Sequence, residues 1–475
     1  MTRSVVFTVS ALFTVCCSFA HAIGERAHAE IGRMAVEEHL TGEALVPGMA
    51  GLFEDEDNLR ALYSGCAFPD WGYGGINPDA AEFTHWNRYM EAYVALLQRR
   101  FPPPWDAEAR RQICFFLGVL CHNIADIPWH FDEEGHKSFL TAGYEADGAG
   151  HVDIEFACDY FLYAERALEP SVNLEAWFPI DLLTEVFAEA GRPVGREQLV
   201  QGTFRSRVMF FGGPLVAAFQ RNGRKAKMPW VYDHYDDYYY GGMEHDAAAT
   251  AVMARYMVAR LGGDYFYQNT PLYSSYVRRN GDYVPRLQIE DATVFAGEYA
   301  GARSDGPFLE IGGEGPSRRY DYLRVDFGDI PPETDLDRAR LYLHLADAPA
   351  PGSSITLEAC EALTPCAPVL RSRETVPVQA PISGEACMSP PVAATALTAQ
   401  RSGDGWIEFD ITDVASHWIA DPAANNGLLL RVANAGAATP GIRFHSSEAC
   451  QRENAAGFGG REVAWRPAFL LVPRK

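Results

Sequence analysis

Apolar residues recur every three or four positions through the first half of the chain, and alternate over short runs in the second. The first spacing predicts amphipathic helices and the second predicts half-buried strands. Ile31, Met34, Ala35 and Leu40 keep helical spacing after His28, as do Trp86, Met90, Tyr93, Val94 and Leu97 after His85. Ile113, Phe116, Leu117, Leu120 and Ile124 form the stripe of a helix that delivers His122 and Asp126. Further helices are predicted through Ile154, Ala157, Cys158 and Phe161, and from Ala247 to Leu261; the run Phe101-Pro102-Pro103-Pro104-Trp105 is a helix breaker. From about residue 290 lysine disappears until Lys475, and strand-like runs follow at 322–327, 340–344, 406–410, 427–431 and 469–472. The fold class expected is multidomain: an all-α domain over 23–265, a linker over 266–289, and an all-β sandwich or jelly roll over 290–475.

The first residues read as a secretory signal. Arg3 supplies the positive start, Val5 to Val15 is apolar, and Ala20-His21-Ala22 is a small-x-small cleavage site. Removal of residues 1–22 would leave Ile23 as the mature N-terminus, in a secreted or periplasmic protein. The formal net charge of −23 disfavours nucleic acid as a partner, because phosphate binding wants a basic surface. Metal ions can still reverse the field locally at an acidic protein's site. Of ten cysteines, Cys16 and Cys17 lie in the signal. The remaining eight divide into Cys66, Cys114, Cys121 and Cys158, then Cys360, Cys366, Cys387 and Cys450, which suggests two disulfides per domain in an oxidising compartment.

The chemistry concentrates before residue 250. Cys121 to His130 packs two imidazoles and a carboxylate into ten residues. His122 and Asp126, four apart, share a helix face, and Pro128 is expected to break that helix and let His130 turn back toward them. His151 and Glu155 are again four apart on a predicted helix. His28 opens the first helix, Asp70 follows the turn-like Phe68-Pro69, and His85 stands at a helix start. Nitrogen and oxygen donors flanking apolar helices that must pack together suit zinc. Glu30, Asp132, Glu133 and Asp153 are candidate acceptors for the second nitrogen of these histidines. Phe68, Trp71, Tyr73, Trp86 and Trp129 lie near the donors as a candidate apolar wall. His136 is an alternative to His130, while His39, His234 and His245 match no motif.

These motifs, in this order, are His28-Ala29-Glu30-Ile31-Gly32, Phe68-Pro69-Asp70, Thr84-His85-Trp86, His122 to His130, His151 with Glu155, and Tyr239-Tyr240-Gly241-Gly242. Segment 23–265 thereby resembles the zinc-dependent phospholipase C family, and within it the glycosylphosphatidylinositol-specific phospholipase D branch. The resemblance implies an all-helical domain with two or three zinc ions in a cleft. It implies that Asp70, His85, His122 and Asp126 hold one ion, and that His130, His151 and Glu155 hold a second. His28 would hold a third, with Asp126 bridging and the α-amine of Ile23 as a further ligand. The three residues between Asp126 and His130 are fewer than in the bacterial phospholipase C and nuclease branches. The activity implied is phosphodiester hydrolysis of phospholipids or glycosylated inositol lipids by a metal-activated water, with Asp70 the candidate catalytic residue that orients it. The alternatives are a single-strand nuclease-like phosphodiesterase and a non-catalytic surface-binding protein.

The second half resembles the DNRLRE-type β module appended to secreted bacterial enzymes. The matching residues are Arg318-Arg319-Tyr320 with Leu323 to Phe327, Ala339 to Leu343, Phe409 to Val414 with Trp418, Asn426 to Arg431, and Phe444 to Glu448 with Arg466-Pro467. The resemblance implies carbohydrate or cell-surface binding rather than catalysis.

Overall fold

The computed structural model describes residues 24–41, 45–132, 136–166, 175–269, 289–295, 302–303, 307–313, 318–347, 354–363, 388–398, 405–433, 441–447 and 460–475. The signal segment, Ile23, Glu133, Cys366, Cys387, Cys450 and most of the expected linker lie outside them. The chain divides into two compact units, with the main boundary between Ala254 and Arg255 inside a helix. The first is helical and the second is rich in β-sheet, so the order is α then β.

The helical unit contains α1 (Glu25–Ala35), α2 (Glu56–Ala67), a 3-10 turn (Pro69–Gly72), α3 (Pro78–Thr84), α4 (Asn87–Arg100) and α5 (Ala107–His130). It continues through α6 (Phe139–Asp147), α7 (His151–Glu165), α8 (Ile180–Glu189), α9 (Arg196–Lys227), α10 (Pro229–His234) and into α11 (Met243–Gly262). Side-chain caps start several of these: Asp106 accepts from Ala109 N at 2.8 Å to open α5, and Ser138 accepts from Thr141 N at 3.1 Å to open α6.

The middle of the unit is the crossing of α2 and α5, which approach backbone to backbone at two glycines. A Cβ on Gly118 would sit 1.9 Å from the Leu62 carbonyl oxygen, and one on Gly65 would sit 2.1 Å from that of Phe115. Only residues without a side chain fit at either position. α1 packs across α2, α5 and α7, and α9 runs along α7 and the 3-10 turn.

Two local expectations are corrected. Pro128 does not break α5. It stands in the last turn, where only one intrahelical bond is lost, and Phe131 N still donates to the Ile127 carbonyl at 2.9 Å. Nor does any disulfide form among the described residues: Cys66, Cys114, Cys121, Cys158 and Cys360 are all free and buried. Those in the helical unit serve as small packing groups on inward helix faces. Cys114 Sγ donates to the Leu52 carbonyl at 3.4 Å, and Cys121 Sγ to that of His28 at 3.7 Å.

In the second unit β1 (Tyr265–Gln268) is followed by β2 (Ile289–Phe295), β3 (Ala302–Arg303), β4 (Phe308–Ile311), β5 (Arg319–Val325), β6 (Leu336–His344) and β7 (Ser354–Ala362). Then come β8 (Met388–Thr398), β9 (Trp406–Asp410), α12 (Thr412–Ala420), β10 (Leu428–Val432), β11 (Ile442–His445) and β12 (Ala468–Pro473). One sheet has the order β1-β12-β6-β9, a second β3-β2-β5-β10-β7-β8, and β11 pairs with β4. All strand pairings are antiparallel. Residues 266–268, read as linker, are strand: Phe266 pairs with Leu470 and Gln268 with Ala468. Inward residues of both large sheets, among them Leu341, Phe409 and Phe469 from one and Leu323, Leu357 and Leu430 from the other, join one core with Trp418 of α12.

Candidate metal centre

Four histidines and two carboxylates enter the site from α1, the 3-10 turn, the end of α3 and α5. Because α5 continues past Pro128, His122, Asp126 and His130 follow one another at four-residue intervals on a single face. The Asp126 carboxylate lies 3.4 Å from Nε2 of His28, His122 and His130, and 3.5 Å from Nε2 of His85. Asp70 Oδ1 is 3.5 Å from His85 Nε2 and 3.8 Å from His122 Nε2. A third carboxylate, Glu155 on the first turns of α7, is 2.5 Å from His151 Nε2 and 3.8 Å from His130 Nε2. Three groupings therefore arise: His28, His122 and Asp126; Asp70, His85 and His122; and His130, His151 and Glu155.

The protonation pattern decides what these groups can hold. His122 Nδ1 is 2.7 Å from the Cys66 carbonyl oxygen, and His85 Nδ1 is 3.0 Å from that of Ala81. A carbonyl only accepts, so Nδ1 carries the proton in both rings and Nε2 presents its lone pair. Those two Nε2 atoms lie 3.0 Å apart. Two lone pairs and two carboxylates facing one another repel unless a cation or a bound proton lies among them. Asp70 Oδ1, Asp126 Oδ1, Glu155 Oε2 and both ring nitrogens of His28 are buried without a hydrogen-bond partner among the described residues. Buried polar atoms are rarely left so, and the donor set of imidazole and carboxylate suits zinc.

The cluster's own electrostatics show the same demand for positive charge. Burial pulls His85 down, but the Asp70 and Asp126 carboxylates outweigh it and raise the ring to about 9. His130 is raised despite its burial, by Asp126 and Glu155. Burial, with His122 beside it, lowers His28 to about 4. Burial works against the charge on Asp126, yet His122, His130 and His28 hold its carboxyl well below the usual range. Glu155 is raised by burial, against the pull of His151 and His130.

The groups that aim these ligands were mostly not foreseen. None of the expected carboxylate acceptors that are described touches a ligand histidine. Glu30 is occupied by Arg26, Arg33 and Arg166 at 3.0, 2.6 and 2.9 Å, Asp132 accepts from Ser138 N, and Asp153 pairs with Arg224. Main-chain carbonyls take their place. Asn123 Nδ2 donates to the Thr84 carbonyl at 2.9 Å, tying the end of α3, and so His85, to α5. Asp159 on α7 accepts from Ala27 N at 2.9 Å and Arg26 N at 3.4 Å, seating the first turn of α1 and so His28. Asp159→Ala is expected to cost about 1–2 kcal/mol of stability, read by denaturant unfolding, since it removes the buried side-chain acceptor that Ala27 N and Arg26 N share at the start of α1.

His130, rather than His136, is brought to the cluster; His136 stands against the Tyr239 and Tyr240 rings at 5.0 and 6.3 Å. His245 is buried beside Asp246, and His234 lies beside Asp237, neither lining the cleft. That cleft, ≈ 320 Å³, is walled by Tyr73, Trp86, Ile127, Phe131 and Leu140, with His85, Asp126, His130 and His151 at its floor and side. Glu82 fixes its rim, accepting from Tyr73 Oη at 2.6 Å and Trp86 Nε1 at 2.9 Å. Phe68, Trp71 and Trp129 are buried core instead.

Residues 27–188 match the family model described as zinc dependent phospholipase C. The match runs from beside His28 past Glu155, so every donor of the cluster falls within it. The chain is also similar to phosphatidylinositol-glycan-specific phospholipase D of Homo sapiens, 24% identical over 245 residues, which are 48% of this chain and 28% of that protein. The protein of that name from Dictyostelium discoideum is 26% identical over 211 residues, 40% of this chain and 20% of the relative. The matched region thus spans less than a third of these relatives' length. At family level these similarities support zinc and the hydrolysis of phospholipid or glycosylphosphatidylinositol lipids. In the β unit, residues 390–470 match a model described as TGF-beta propeptide, a different description from the DNRLRE-type module expected there.

Proposed function

We propose that this protein is an exported zinc-dependent phosphodiesterase that hydrolyses phospholipids or glycosylphosphatidylinositol-type lipids with phospholipase D-type cleavage. The observation that carries the reading is the pair of Nε2 lone pairs of His85 and His122, 3.0 Å apart between Asp70 and Asp126. Asp70, His85, His122 and Asp126 would hold one ion, and His130, His151 and Glu155 a second. His28 with Asp126 would hold a third, completed by the α-amine of Ile23, which lies outside the described residues. When bound, zinc supplies Lewis acidity and makes a nucleophilic water available near neutral pH.

The chain's own residues do the rest. Asp70, its side chain 11% exposed beside His85, orients the attacking water and accepts its hydrogen bond. The Cys66 and Ala81 carbonyls keep the imidazoles in the ligating tautomer, so no reorganisation is needed on binding. Trp86, Phe131 and Leu140 offer apolar contact to the glycerol and upper acyl portion of a lipid, while Tyr73 and Glu82 give the rim polar groups for a headgroup. The β unit would serve as a sandwich module for surface or carbohydrate attachment.

Incubation of the purified protein with a panel of phospholipids and a glycosylphosphatidylinositol lipid tests this, with products identified by mass spectrometry. Phosphatidic acid is expected; diacylglycerol would assign the other side of the phosphate, and cleavage of single-stranded DNA alone would overturn the lipid reading. Chelation should remove at least about 90% of the turnover, and zinc should restore it, because the hydrolytic water depends on the ion.

A further inference from the structure

The 32-residue helix α9 has a face that the metal centre does not explain. Val200, Phe204, Phe211, Leu215 and Phe219 are 43–76% exposed. At 100° per residue they fall within an arc of roughly 100°, so they form one continuous apolar stripe facing solvent. Stripes of this kind mark an interaction surface.

Charge on the same helix says what the surface meets. The chain's net charge is −23, yet α9 carries seven Lys or Arg and a single acidic residue, Glu197. Arg196, Arg207, Arg221 and Lys225 project along one border of the stripe, within roughly 60° of its edge. Arg196 and Arg221 are partly offset by Asp181 and Glu165, and Arg224 by Asp153. Arg207 donates to the neutral Ala176 carbonyl, and Lys225 stands over the Tyr232 ring at 3.4 Å. A helix with exposed phenylalanines and a basic border, in an otherwise acidic protein, is complementary to an anionic lipid surface. Its seven cationic residues and single apolar stripe suit the interface, and no described helix is long and apolar enough to cross a membrane.

We propose that the exposed face of α9 docks the enzyme on anionic membranes. Its other faces are fixed to the segment that follows the 3-10 turn and to the turn itself: Gly202 packs on the Trp71 carbonyl, where a Cβ would come within 2.2 Å, and Arg205 donates to the carbonyl of Tyr73, which lines the cleft. A membrane held by the stripe is therefore held by the same rigid piece that carries Asp70 and the Tyr73 rim. The proposal rests on the lipid-hydrolase reading for its purpose, but binding is read without turnover.

The test is flotation of the full-length metal-loaded protein with vesicles of phosphatidylcholine, alone or mixed with phosphatidylglycerol. The expected result is binding to the mixed vesicles that weakens with salt. The triple variant Phe204→Ser/Phe211→Ser/Phe219→Ser should partition roughly tenfold more weakly or worse. Its circular dichroism and its hydrolysis of a soluble short-chain substrate should stay unchanged. Phe219→Ser alone, at the most exposed position, gives a smaller loss and serves if the triple variant does not fold. Unchanged partitioning of the variants, or no vesicle binding by the wild type, overturns the proposal. So does a wild-type dimer that the variants dissociate, which would assign the stripe to a second copy. Vesicle binding without lipid hydrolysis would leave docking in place and remove the hydrolase reading instead.

Discussion

Asp126→Asn is expected to empty the metal centre and lower turnover by at least roughly 10²–10³-fold, with little change in fold. One carboxylate lies within 3.5 Å of four imidazoles, those of His28, His85, His122 and His130. Among the described residues no other carboxylate reaches imidazoles from α1, the end of α3 and α5 together. The amide keeps the shape of the carboxylate but removes its charge, and a neutral carbonyl is a much poorer partner for zinc. The fold is expected to persist because the amide is isosteric with the carboxylate, and its oxygen and nitrogen can still pair with the neighbouring imidazoles. Zinc per chain by mass spectrometry and turnover on a lipid substrate are the two readouts. Wild-type zinc content with wild-type activity in this variant would sink the assignment of Asp126 as the shared ligand.

The pairs His122–Asp126 and His151–Glu155 were legible in the sequence, because a four-residue interval has a definite meaning on a helix. Their convergence with His28, Asp70 and His85 was not. It depends on how closely α2 and α5 cross, and that depends on Gly65 and Gly118, which carry no signal of their own in a linear pattern. Family resemblance pointed to the set where spacing was silent. The main-chain acceptors at Cys66 and Ala81 were invisible for a related reason, since a reading of side chains looks for carboxylates.

Other misreadings have equally local causes. Pro128 sits so near the end of α5 that its missing N–H costs one bond and the helix persists. α9 is hidden in the sequence because Gly212-Gly213-Pro214 reads as a breaker and because apolar residues occupy both its faces. Strands β5, β6, β9, β10 and β12 followed from alternation, whereas Pro390-Pro391 hides β8. Cysteine count suggested crosslinks, but helix interiors use the same residue as a small apolar filler.

Gly118→Ala is expected to destabilise the helical unit by about 3 kcal/mol or more and to weaken zinc retention with it. Two effects compete. In a helix interior alanine is favoured over glycine by about 1 kcal/mol, so an exposed position would gain stability. Here the new Cβ would sit 1.9 Å from the Leu62 carbonyl oxygen, 2.7 Å from Cys66 N and 2.8 Å from Gly65 Cα. All three are backbone atoms of α2, which cannot swing aside as a side chain would. Relief requires that α2 and α5 move apart along the contact that holds the unit together. That movement also lengthens the 2.7 Å bond from His122 Nδ1 to the Cys66 carbonyl and shifts the 3-10 turn that follows α2, displacing Asp70 from His85. The steric term should therefore win, and stability and metal binding should fall together. Denaturant unfolding monitored by circular dichroism, alongside zinc content after dialysis, reads both. A variant as stable as the wild type or more so would mean that propensity had prevailed, and that the close crossing does not set the geometry of the metal centre.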